Sequence, residues 1–414
     1  MERDKHIREL DKLTERESSY YANVVDLVAA SSFLRPEIAN LKHYGFHRTM
    51  EGLMGRRPYA GTKYLDQIET IGVEVAKRIF NADYVNIQPH SGTQANQAAY
   101  SAFLSPGDPV LSLSFDSGGH LTHGSKVNFS GKLYNFDFYG IDTKSGELDY
   151  FNVEEKMKTF RPKMLVTGSS SYPRIIDYER LSKIAHTSNA IFMVDIAHPI
   201  GLIAAGLFPS PVPFADVVTS STEKTLLGPH AGIIMCKNKY ANCVDKAVHP
   251  CTQSSVPIDR IVQITKALLF VESDFFKKFA RRVMENAKIL EGYFKNINGL
   301  LVFNGTDSHF IVINVADVFG ISGKEAEKVL ENLNILTNRQ VIPGDNRGVY
   351  ETSGLRIGTT AATERGYSNQ DFSQIAQIIG EAMGHPRDEK LMQKLRKDVK
   401  LLTSKKRSLD MSKG

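Results

Sequence analysis

The sequence predicts an α/β fold in which a large, mainly parallel sheet domain is followed by a smaller C-terminal α+β domain. Three observations carry this expectation. The chain has 414 residues, more than one hydrophobic core ordinarily supports. Short apolar, β-branched runs recur at 110–114, 164–167, 191–195, 216–220 and 232–236, with a helically spaced segment at 178–187 between two of them. Such strand–helix–strand repetition builds a buried sheet covered by helices. After about residue 285 the rhythm changes to a helix over 281–296, a strand over 309–315 and a helix over 323–333. The first 45 residues are polar and helical and read as an arm. The expected division is therefore an arm over 1–45, a cofactor-sized domain over 46–284, and a small domain over 285–414 that ends in a basic tail.

Composition narrows the function classes. Apolar content of 42% and charged content of 23% describe an ordinary soluble protein, and no run approaches the roughly 20 apolar residues of a membrane span. The charged start, Met1 to Lys5, lacks the apolar core of a signal peptide. Three cysteines, Cys236, Cys243 and Cys251, without His partners at metal spacing, fit a reducing, cytoplasmic setting and no metal site. The net charge of +5 comes mostly from the tail, Lys390 to Lys413, which reads as a solvated helix and terminus. No zinc-finger or aromatic–basic pattern supports nucleic-acid binding.

Five stretches point to chemistry. Ser220-Ser221-Thr222-Glu223-Lys224 ends a strand in small hydroxyl residues and leaves a lysine at its carboxyl end, where α/β folds place ligands. A shielded lysine there is a nucleophile toward carbonyls, although most lysines are merely solvated. Asp195 ends the apolar run Ile191–Val194; a carboxylate so placed needs a cation, such as the protonated pyridine of pyridoxal phosphate, or else caps the following turn. Ser91-Gly92-Thr93 opens a helix and suits a phosphate as well as an ordinary cap. Gly118-Gly119-His120 lets backbone approach a ligand, with His120 able to lie on an aromatic ring or to be an ordinary core histidine. Arg356, inside the apolar run 352–358, calls for an anion such as a substrate carboxylate.

Order and spacing bring these together. The run Tyr84–Thr225 resembles the serine hydroxymethyltransferase family, through Gln88-Pro89-His90-Ser91-Gly92, Gly118 to Gly124, Val127 to Lys132 and Asp195 to His198; Thr352 to Gly358 adds to it. More weakly, the resemblance runs from about 25 to 385. It implies pyridoxal-phosphate fold type I, a small amino-acid substrate and a homodimer with shared active sites. It further implies that Lys224 forms the Schiff base, that Asp195 meets the pyridine nitrogen and that His120 stacks on the ring. Ser91, Gly92, Thr93 and Ser221 fall in the cofactor-binding set, and Ser170 and His198 lie near the phenolic oxygen. Arg356 holds the substrate carboxylate, Glu51 is the acid–base group with Tyr59 beside it, and Glu223 lies on the substrate side.

Several positions depart from the family pattern. Ala30 replaces a serine that helps hold the carboxylate, and Ser31-Ser32 replace Glu-Asn. Thr49 and Pro58 replace tyrosines, Glu223 a histidine, His230 an arginine, and Gln340 an asparagine; Ser254-Ser255 replace a glycine pair that in the family lends phosphate contacts from the second subunit. Three readings follow: a hydroxymethyltransferase with tetrahydrofolate as co-substrate, a folate-independent aldolase or transaldolase for another β-hydroxy or α-substituted amino acid, and a non-catalytic paralogue that binds the cofactor.

Overall fold

The computed structural model describes residues 2–41 and 51–404; Thr49 and residues 405–414 of the basic tail lie outside the described residues. Two compact units are formed. One comprises the described parts of Met1–Ser31, Arg282–Val341 and Asp345–Gly414; the other comprises those of Ser32–Arg281 with Ile342–Gly344.

The start of the chain is built into the smaller unit. Helix Glu2–Ala22 ends where the Arg365 guanidinium donates to the carbonyls of Ala22 and Val24, each at 2.7 Å. Strand β1 (Val25–Asp26) then pairs in parallel with a strand at Ile335–Leu336. The physical reason lies in Val25 and Leu27, which are fully buried in one core with Ile335, Leu355 and Ile357.

In the larger unit, seven strands form one sheet: β2 (Tyr84–Asn86), β3 (Pro109–Leu113), β4 (Asn135–Tyr139), β5 (Met164–Gly168), β6 (Ile191–Asp195), β7 (Val217–Ser221) and β8 (Gly232–Cys236). Their order is β2-β8-β7-β6-β5-β3-β4, and β8 alone runs antiparallel to its neighbours. Every residue of β5, β7 and β8 is buried, and β5 and β8 accordingly read as near-continuous apolar runs, whereas β7 ends in buried hydroxyl residues. Two strands escaped that reading. At the sheet edge, β4 alternates polar with aromatic residues and is partly exposed, and β2 has only three residues. The helically spaced segment at 178–187 is the helix Tyr178–Thr187. Because six strands point the same way, Asn86, Leu113, Gly168, Asp195 and Ser221 all end on one edge, and the loops leaving that edge carry the candidate chemistry.

The smaller unit adds β9 (Phe310–Asn314), β10 (Ile335–Leu336), β11 (Asn338–Gln340) and β12 (Gly354–Gly358). Here β12 is central and antiparallel to both β11 and β9, with Arg356 opposite Asn338 and Val312.

Candidate active site

The phosphate-like cradle forms first, from local rules. Ser91 is extended and caps helix Gly92–Phe103, its hydroxyl oxygen accepting from the Gln94 amide at 3.1 Å. The helix start lies directly on the end of β7: a Cβ on Gly92 would stand 3.0 Å from the Ser221 Cβ and 3.2 Å from its amide nitrogen. Glycine is thus what lets the positive end of a helix dipole reach the sheet edge. The buried Ser221 hydroxyl has no hydrogen-bond partner among the described residues. Thr93 is exposed on the first turn.

Asp195, 8% exposed at the end of β6, is surrounded by donors. Its Oδ2 accepts from Asn96 Nδ2 at 2.8 Å and from His123 Nε2 at 3.3 Å, and its Oδ1 from the Ala197 amide at 2.9 Å. Asn96 is itself fixed by Thr219, which donates to its carbonyl at 2.5 Å, and it donates to Thr122 Oγ1 at 2.8 Å. Burial by itself would raise the Asp195 carboxyl. The hydrogen bond and charge of His123, then the charge of His120 and the Asn96 amide, outweigh it and hold the group well below the usual carboxylate range. Half-buried His120 is oriented from behind, with Nδ1 2.7 Å from the Thr122 hydroxyl and 3.2 Å from the Thr122 amide. His120, His123 and Asp195 could in principle gather a metal ion, but Asp195 is already supplied with donors.

Lys224, half-buried, sits in the turn that leaves β7. Both sides of that turn are pinned. Thr222 Oγ1 donates to the Pro229 carbonyl at 2.5 Å, and Thr225 Oγ1 donates to the His198 carbonyl at 2.7 Å. Gly201 packs so closely that a Cβ there would stand 2.0 Å from the Thr225 carbonyl oxygen. His198 is buried, and the backbone of Ser170 is tied to the Gly118 carbonyl at 2.8 Å. Glu223 presents Oε1 3.4 Å from His230 Nδ1, its Oε2 is buried without a hydrogen-bond partner among the described residues, and its carbonyl accepts from Ser32 Oγ at 2.7 Å.

Elsewhere in the same unit, Glu51 forms an antiparallel bridge with Ser255, and its Oε1 accepts from the Ser254 hydroxyl. The adjoining Gly52 carbonyl accepts from Arg57 Nη1 at 2.9 Å and from Gln88 Nε2 at 3.2 Å. Arg57 in turn pairs with Asp66 and Glu69, so the Glu51 loop rests on a buried ionic network. Tyr59 is 43% exposed. In the smaller unit Arg356 is buried, with Nε donating to Asn338 Oδ1 at 3.0 Å and its guanidinium 5.9 Å from the Phe310 ring centre; burial pushes it down to about 10.

The larger unit therefore joins Ser91, Gly92 and Ser221 in one cradle, His120 and Asp195 in one network, and Glu223 and Lys224 in one turn. Sequence reasoning passed over Asn96, His123, Thr219 and the Arg57–Glu69–Gln88 network. Their signal was weak but present: polar residues inside segments that otherwise bury apolar ones.

A mixed seven-stranded sheet, a helix-capped cradle, an ionised strand-end aspartate and a lysine in the turn after the neighbouring strand define a pyridoxal-phosphate-dependent transferase of fold type I. More narrowly, the chain belongs to the serine hydroxymethyltransferase family, whose model matches residues 3–379. It is 41% identical over 398 residues to the serine hydroxymethyltransferase of Mycoplasma mycoides subsp. mycoides SC, covering 96% of this chain and 95% of that one. It is also 41% identical over 402 residues to that of Mycoplasma capricolum subsp. capricolum, covering 96% of each. The family uses pyridoxal phosphate, with tetrahydrofolate as co-substrate. The residues present fit that cofactor: a partnerless buried hydroxyl and a helix N-terminus suit its phosphate, and an aspartate held ionised suits its pyridinium.

Proposed function

We propose that this chain moves a hydroxymethyl group between serine and glycine, with tetrahydrofolate as the one-carbon acceptor. The observation that carries the reading is Asp195, kept ionised at the end of β6, on the strand paired with the one that delivers Lys224. When bound, pyridoxal phosphate supplies an electron-poor ring that takes up the electron pair released at the substrate Cα. Lys224 would hold its aldehyde carbon covalently, and Asp195 would keep a proton on the ring nitrogen. Ser91, Gly92, Thr93 and Ser221 would hold the phosphate, His120 the ring face, and Ser170 and His198 the region of the phenolic oxygen. Arg356 would bind the substrate carboxylate and so fix which Cα bond is strained toward cleavage. Glu51, with Tyr59, would carry a proton to or from the substrate hydroxyl, in the active site of a second subunit of a homodimer.

No helix among the described residues is long and apolar enough to cross a membrane. Three cysteines outside any disulfide fit the cytoplasmic placement we propose. The pair Glu223–His230 favours a second reading, a folate-independent aldolase or transaldolase. A carboxylate next to Lys224 makes that region less attractive to the polyanionic tail of a folate. Glycine α-proton exchange and serine cleavage, each measured with and without tetrahydrofolate, separate the two. Strong stimulation of both by folate is the expected result; cleavage indifferent to folate would establish the second reading. Mixing Glu51→Gln with Lys224→Ala subunits tests the shared sites, with partial recovery of activity expected and none if each subunit works alone.

A further inference from the structure

The segment Thr252–Ser255 is stitched to two places at once. On one side, Gln94 Nε2 donates to the Thr252 carbonyl at 2.9 Å, Gln253 Nε2 donates to the Gln88 carbonyl at 3.2 Å, and His90 Nε2 lies 2.9 Å from the Ser255 carbonyl. These contacts fasten it to the stretch that opens into the Ser91–Gly92 cradle. On the other side it holds Glu51, through the backbone bridge to Ser255 and through the Ser254 hydroxyl, which donates to Glu51 Oε1. The Arg57 and Gln88 contacts to the Gly52 carbonyl fix only the main chain of that loop. Among the described residues, Ser254 is the side chain that grips the Glu51 carboxyl itself.

From this geometry we infer that Ser254 is a positioning residue for Glu51, selecting which carboxyl oxygen exchanges the proton. The inference rests on the proposed acid–base role of Glu51. An oxygen that accepts from a hydroxyl can go on accepting in both protonation states, as a carboxylate oxygen or as the carbonyl oxygen of the acid. Oε1 is thereby kept as the acceptor, and the proton arrives at and leaves from Oε2. No bond between Ser254 and Glu51 has to break during the transfer, and one rotational freedom of the carboxyl is removed in advance. Serine at this position thus gives the chain a grip on the carboxyl that a residue without a side chain could not supply.

Steady-state serine cleavage by the cofactor-loaded enzyme tests the inference, with Ser254→Gly, Ser254→Thr and Glu51→Gln compared side by side. Losing a hydrogen bond to a charged group predicts a fall in kcat of about 10- to 100-fold in Ser254→Gly. KM and melting temperature should stay unchanged, because among the described residues Ser254 touches none of those assigned to the substrate carboxylate. Ser254→Thr, which keeps the hydroxyl, should recover most of kcat, and Ser254→Gly should add little to the loss already caused by Glu51→Gln. A crippled Glu51→Gln beside a wild-type Ser254→Gly would overturn the positioning role and leave the Glu51 assignment standing. Wild-type turnover in Glu51→Gln would overturn both. A Ser254→Gly defect that appears as lost cofactor or lower melting temperature would make the contact structural and overturn the inference.

Discussion

Asp195 and Arg356 are buried to the same degree, each 8% exposed, one in each unit, and each carries a charge that the sequence marked as unusual for its surroundings. Their environments differ. Around Asp195 the protein spends an amide side chain, a histidine and a backbone N–H, and together these overcome burial so that the carboxylate stays ionised. Around Arg356 burial prevails: Asn338 and the Phe310 ring do not restore the guanidinium, which lies at about 10. On the proposed reading, the protein sets the aspartate's charge before the cofactor's ring nitrogen meets it. If Arg356 binds the substrate carboxylate as proposed, its charge is met by a group that comes and goes with each turnover.

Four substitutions break or sharpen this contrast. The largest effect belongs to Lys224→Ala. It should remove the visible absorbance of lysine-bound cofactor and all measurable turnover, and a surviving band would move the covalent link to another lysine. Asp195→Asn should leave cofactor in place, since the cradle at Ser91–Gly92 and Ser221 is untouched, yet lower kcat on the order of 100- to 1000-fold by removing a preorganised charge. Cofactor content and single-turnover rates report the two effects separately. Arg356→Lys keeps a positive charge but loses the planar fork, so KM for serine should rise about 10- to 100-fold with cofactor content unchanged. A rise in kcat defects without a KM change would mean that Arg356 does not bind the carboxylate.

The smallest expected effect is a gain. Ala30 follows Ala29, which packs on Gly358, two residues beyond Arg356, and the Leu27 carbonyl accepts from the Gly358 amide at 2.7 Å. Ala30→Ser offers one neutral hydrogen bond near the strand that carries Arg356, and should lower KM for serine about 2- to 10-fold. An unchanged KM would show that the turn Val28–Ser31 does not reach the carboxylate.

What the sequence determined by itself was whatever is local or repetitive. Near-continuous apolar runs announced β5, β6 and β8 because a strand buried on both faces has no polar side to show. Ser91 before a helix, and Lys224 and Asp195 at strand ends, were legible because capping and strand termination depend on a few consecutive residues. What is not local had to wait for the tertiary structure. Nothing near Val25 in sequence shows that it pairs with Ile335, about three hundred residues away; shared burial in one core decides it. Likewise Asn96 looks like any polar helix residue until the fold sets it against Thr219, Thr122 and Asp195. Residue types gave the chemistry available, but the Asp195 charge is fixed by donors from distant segments, and only packing brings those into hydrogen-bonding reach.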